Sequence, residues 1–142
     1  MVDELRVARL LRAARDDVAT LRTEADAADA RRSEPLWMAG VKYLFITAIE
    51  ACVDIAQHIC ASEGWGPPAT NADAFRVLAR HDVVSSAEAD ALGRAVGFRN
   101  VLVHDYVDVD DEIVLRRMSD LADLEQFTAA VAAWMTRPSG GQ

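Results

Sequence analysis

Between Glu34 and Ala61 the chain returns to an apolar residue at nearly every third or fourth position. Val41, Phe45, Ala48, Cys52, Ile55 and Ile59 form one stripe, and Leu44, Ile49, Val53 and Ala56 widen it. The spacing predicts a helix, and an apolar arc this broad predicts burial on more than one side. Such an element needs several neighbours, which a helical bundle provides and a subunit interface can extend. The remainder of the chain agrees with that constraint. Aromatics are only 6% and hydrophobic residues 51%, with abundant alanine and leucine, a balance that favours an all-α domain. With 142 residues there is room for one domain with a real core.

The other elements follow from periodicity and punctuation. Val7, Leu11, Ala14, Val18 and Leu21 alternate at four and three, an amphipathic helix that fades in "RTEADAADARR". Ser33 before Glu34-Pro35 reads as an N-cap with proline in the first turn. "GWGPP" at 64–68 ends the long helix, and Thr70 opens a short one containing Phe75 and Leu78. Ser85 followed by Glu88 is a capping-box pattern that opens a fourth helix. After the link "DYVDVDD", Asp110, Asp111 and Glu112 suit the positive end of a fifth helix running through Ile113, Met118, Leu124, Phe127 and Trp134. The expected architecture is a four- or five-helix bundle spanning 1–137, with a disordered tail at 138–142.

Charge and cysteine usage narrow the function classes. Net charge is −8 and the pI near 4.8, the opposite of a general nucleic-acid binder, although a local basic site on an acidic protein remains compatible with RNA. Lys42, Glu50 and Asp54 interrupt the longest apolar run before the roughly 18–20 residues of a membrane span. The charged N-terminus lacks the apolar core of a secretory signal. Cys52 and Cys60 have no ligand cluster around them and read as reduced thiols, so the cytoplasm is the expected compartment.

One stretch does not fit an ordinary core helix: "FRNVLVHDY", Phe98 to Tyr106. At about 100° per residue, Asn100 and His104 share one side of a helix, Arg99 and Tyr106 fall within about 20°, and Arg99 and His104 diverge by about 140°. Convergence of all four needs a helix that loosens near His104 or a second copy facing the first. The residue types suit phosphodiester chemistry. Histidine can take a proton from a 2′-hydroxyl or give one to a departing oxygen. Arginine offers a permanent, planar charge to phosphate, and tyrosine can position phosphate or stack a base. An arginine and a histidine at this spacing also occur in helices with no chemistry. His58 and His81 lack informative partners and read as structural or surface histidines. Glu50 and Asp54, one turn apart on the apolar helix, either support Arg99 or His104 or face solvent and other basic residues. Asp105 is a further candidate beside the motif, or simply a cap.

"RNVLVHDY" resembles the signature of the HEPN superfamily: arginine, a polar residue, three variable residues, histidine. The tyrosine two places on narrows the resemblance to HepT-like toxins of bacterial toxin–antitoxin pairs. "AIEACVDIAQHIC", "NADAFRVLARHDVVSSAEADALGRAVGFRN" and "VDVDDEIVLRRMSDLADLEQFTAAV" resemble that family's helices, so the likeness spans about residues 5–135. The resemblance implies a homodimeric, metal-independent endoribonuclease without cofactor, with two Arg-x4-His motifs meeting across the dimer. Arg99 and His104 would be catalytic and Asn100 and Tyr106 auxiliary. It implies a type VII-like system in which a cognate minimal nucleotidyltransferase antitoxin transfers AMP to Tyr106 and blocks the RNA site. No membrane or DNA role is implied. Some HEPN domains are non-catalytic modules that bind nucleotide or a partner protein, and that is the alternative.

Overall fold

The computed structural model describes residues 2–137, the Tyr106 side chain excepted. The tail expected to be disordered, 138–142, lies outside the described residues. Among the described residues seven helices follow one another: α1 (Glu4–Glu24), α2 (Asp29–Arg32), α3 (Pro35–Ser62), α4 (Asn71–Arg80), α5 (Ser86–His104), α6 (Asp111–Met118) and α7 (Ala122–Met135). A 3-10 turn, Tyr106–Asp108, sits between α5 and α6, and the described residues contain no strand.

The broad arc of α3 does what its pattern demands. Helices α1, α4, α5 and α7 all pack on it, and Ile49, Cys52, Ile55, Ile59 and Cys60 are at most 1% exposed. By length and composition α3 does meet the criterion for a membrane span, at mean hydropathy 1.5, despite the three charges expected to prevent it. Two of those charges are paired within the bundle, Lys42 with Asp111 and Glu50 with Arg99. Edge-to-face ring pairs tie layers together: Phe45 with Phe98, and Phe75 with Phe127, each with centroids 5.2 Å apart.

The caps are mostly where the residue types put them. Thr70 accepts from the Asp73 N–H at 3.0 Å, and Ser85 accepts from the Glu88 N–H at 3.0 Å while donating to the Glu88 carboxylate at 3.1 Å. Ser33 is the exception: it closes α2, donating to the Asp29 carbonyl at 2.9 Å, and Glu34 occupies the cap of α3 without a side-chain bond. Proline at the first position of α3 needs no donor there, so the start survives without the serine. Helices α3 and α4 both end in a turn whose left-handed residue, Gly64 (φ 69°) or Asp82 (φ 60°), lets the following N–H reach back, to Cys60 and Leu78 respectively.

The single helix expected after Asp110 is two. The Ser119 and Asp120 N–H groups bond to Arg116 and Arg117 at 3.0 Å each, tightening the last turn of α6, and α7 restarts at Ala122. Serine and aspartate compete with helical backbone bonds, and the break lets both Met118 (3% exposed) and Leu121 (1%) face the core. The two histidines read as structural or surface residues divide: His58 Nε2 accepts from the Asp3 N–H at 3.0 Å, and the exposed His81 ring lies flat on Trp65 with centroids 3.9 Å apart.

Candidate active site at the end of α5

Helix α5 stops at His104 for local reasons. Asp105 leaves helical geometry (φ −121°, ψ 32°), its N–H still bonding to the Val101 carbonyl at 2.8 Å, and Asp108 N–H bonds to the Asp105 carbonyl at 2.9 Å. Val109 is extended, and the Asp110 carboxylate caps α6 by accepting from the Glu112 N–H at 2.9 Å. Tyr106 therefore opens a tight turn one residue beyond the end of α5. Asp105, a candidate beside the motif, is the residue that closes the helix.

Arg99 is held from α3. Its Nη2 and Nε reach one carboxylate oxygen of Glu50 at 2.7 and 3.2 Å, and its Nη1 donates to Asn100 Oδ1 at 3.0 Å. The Arg99 side chain is 24% exposed and that of Glu50 44%, so the pair is reachable by solvent yet set against the bundle. An ion pair this exposed adds under about 1 kcal/mol of stability. Its stronger consequence is orientation: two donors on one edge fix the plane of the guanidinium.

Of the two alternatives open for these acids, Glu50 takes the pairing with Arg99 and Asp54 the solvent-facing position. Asp54 is exposed, one turn further along α3, with no hydrogen bond or ion pair to the motif among the described residues. His104 is exposed at the helix end, and among the described residues no hydrogen bond or ion pair joins it to Arg99 or Asn100. Because α5 is regular up to His104, the two residues stay about 140° apart around it, as the spacing requires. Leu102 is fully buried, whereas Val101 and Val103 are 45% and 42% exposed, since consecutive helical residues point about 100° apart. The Tyr106 side chain lies outside the described residues.

Sequence reasoning overlooked the partner of Lys42. That side chain is buried and its Nζ lies 3.2 Å from Asp111 Oδ1, at the start of α6. The signal available was a lone lysine inside an apolar stripe. The thiols are inert by burial, which pushes Cys52 up to about 12 and Cys60 above its ordinary value. Among the described residues no group of three or more His, Cys, Asp or Glu is placed to hold a metal ion.

Comparison with known proteins draws these features together. The sequence pattern of the family described as ribonuclease HepT-like matches residues 11–131. The chain belongs to this HepT-like family. An mRNA nuclease HepT of Shewanella oneidensis is 38% identical over 85 residues, 59% of this chain and 64% of that protein. A tRNA nuclease HepT of Aphanizomenon flos-aquae is 33% identical over 70 residues, 49% of this chain and 48% of that one. Less than two thirds of either relative's length is therefore matched. A solved structure of a tri-AMPylated Shewanella oneidensis HEPN toxin in complex with MNT antitoxin superposes with a TM-score of 0.83 at 26% identity, covering 94% of this chain and 99% of that one. The HepT-like match runs from the middle of α1 into α7 and includes both α3 pairs and the whole motif.

Proposed function

We propose that this chain is the toxin of a toxin–antitoxin pair, a metal-independent endoribonuclease working in the cytoplasm and silenced by adenylylation of Tyr106. The observation that carries the reading is the order Arg99, Asn100, His104, Tyr106 at the end of α5, with Arg99 already aimed by Glu50, in a HepT-like chain. Its relatives are named as nucleases of mRNA and tRNA, and one solved neighbour is an AMPylated toxin with its antitoxin.

In the proposed reaction an RNA 2′-oxygen bonds to the adjacent phosphorus and the 5′-oxygen leaves, giving a cyclic phosphate and a free 5′-hydroxyl. A His104 imidazole takes the 2′-proton or supplies one to the departing oxygen. Arg99 faces the phosphate as negative charge builds, and Asn100, bonded to it, steadies that fork. The 140° divergence of Arg99 and His104 is met by a homodimer, in which α5 of each copy faces the other. Gly97 supports that arrangement. It is exposed in mid-helix, where glycine costs about 0.5–1 kcal/mol against alanine. A Cβ there would meet nothing within 4 Å, so its own chain does not require it. Val101 and His104 share its arc, leaving a low, partly apolar strip for a second copy.

Adenylylation by a cognate nucleotidyltransferase antitoxin would put bulk and negative charge two residues from His104, where an RNA phosphate must sit. The deciding experiment is cleavage of cellular RNA by the wild type, Arg99→Ala and His104→Ala. Equal cutting by all three would remove the assignment.

A further inference from the structure

From Asp105 to Asp110 the chain crosses an arch that carries Tyr106 between α5 and α6. The near end is closed onto α5 by the Asp105 N–H to Val101 bond. Among the described side chains of its middle, Val107 is 92% exposed and Val109 rests partly on the core. The far end lands where α6 begins, and there Asp111 meets Lys42 of α3.

Lys42 is an unusual choice for that place. It is the chain's only lysine and is 7% exposed, with Val41 and Phe45 each at 2%. Desolvating an ammonium is costly, and an apolar residue of similar volume often packs such a site as well or better. Stability alone therefore does not account for it. What Lys42 does supply is a fixed point for Asp111, whose own side chain is 57% exposed. Eight residues further along α3, Glu50 does the same for Arg99. One helix thus grips the chain on both sides of the arch: before it through Glu50 and Arg99, after it through Lys42 and Asp111.

We propose that Lys42 is a positioning residue which, by holding Asp111, sets the arch 105–110 and presents Tyr106 for transfer of a nucleotidyl group. The proposal rests on the reading of Tyr106 as the acceptor of AMP. A merely structural lysine would act through stability, so the test separates the two. Lys42→Met keeps the volume and removes the charge, and its melting temperature is expected to match or exceed that of the wild type. Asp111→Ala removes the other partner at an exposed position, without opening a cavity. In both variants the hydrogen-bonded amides of Asp105, Asp108, Glu112 and Ile113 are expected to exchange roughly 10-fold faster, while those of mid-α3 stay within about 2-fold. With a cognate nucleotidyltransferase and ATP, the rate of AMP addition followed by intact mass is expected to fall about 10-fold in kcat, with Asp111→Glu restoring most of it. Unchanged arch exchange in both variants, or AMP addition at the wild-type rate despite faster exchange, overturns the proposal. Should the wild type accept no AMP, the nucleotidyl reading fails, and the exchange comparison alone upholds or overturns the grip.

Discussion

Arg99 and His104 are five residues apart on one helix and live in different worlds. Arg99 is set against the bundle, with α3 supplying a carboxylate to two of its donors and Asn100 an oxygen to a third. His104 stands at the last helical position, exposed, and the chain beyond it runs into an arch whose apex valine is almost wholly in solvent. A group that stabilises developing charge works best when it needs no reorganisation at the moment of reaction, so it is held. In the proposed reaction His104 moves protons and Tyr106 accepts a substituent from another protein, and both tasks need room. On that proposal, the motif divides into a fixed charge and an open acid–base end.

The strongest way to break that division is to remove each residue. His104→Ala and Arg99→Ala are both expected to lower RNA cleavage by about 10²–10⁴-fold. They should differ in stability: His104→Ala leaves the melting temperature unchanged, whereas Arg99→Ala strands Glu50 and lowers it slightly. Equal melting curves for both would show that the α3 pair does not anchor the helix end.

The three apolar residues inside the motif provide the next test. Leu102→Ala is expected to cost about 2–5 kcal/mol in chemical denaturation, because its side chain is fully buried. Val101→Ala and Val103→Ala, both more than 40% exposed, should each cost under about 1 kcal/mol in the isolated chain. A larger loss for Val101→Ala that grows with dilution into the dissociating range would tie this residue to the interface proposed for α5.

Glu50→Gln is the sharper and smaller probe. It keeps the shape and one acceptor while removing the charge that faces Arg99. The expected outcome is a loss of about 10-fold in kcat, from a less well aimed guanidinium, with folding little changed. Asp54→Asn serves as its control and should leave cleavage alone. If the two variants behave alike, Glu50 has no special hold on the site.

Much of this was legible before any coordinates. The cap residues Thr70 and Ser85, the width of α3 and the motif itself all express local rules, in which a few neighbouring residues determine the outcome. The failures came where a contact outside the pattern being read decided. Ser33 looked like a cap because serine usually is one, but a one-turn helix upstream captured it. The break at Ser119–Leu121 was hidden by an apolar repeat that both halves continue, and only the burial of Met118 and Leu121 together explains it. Glu50 and Asp54 were indistinguishable by spacing. What separates them is the height at which α5 crosses α3, a property of packing that periodicity does not carry. The same holds for Lys42, whose partner lies 69 residues away in sequence.

The smallest effect concerns the open end itself. Val107 tops the arch at 92% exposure, next to Tyr106, and an apolar residue so placed gives the fold almost nothing. Val107→Ser is therefore expected to shift stability by less than about 0.5 kcal/mol, read from denaturant midpoints. RNA cleavage by the unmodified protein should change little, since neither Arg99 nor His104 moves. A loss above about 1 kcal/mol would mean that the arch packs against something in solution, a second copy being the first candidate, and the fall of the midpoint with protein concentration would identify it. In that event the helix end is closed by assembly rather than open, and the contrast between a held arginine and a free histidine would apply to the single chain only.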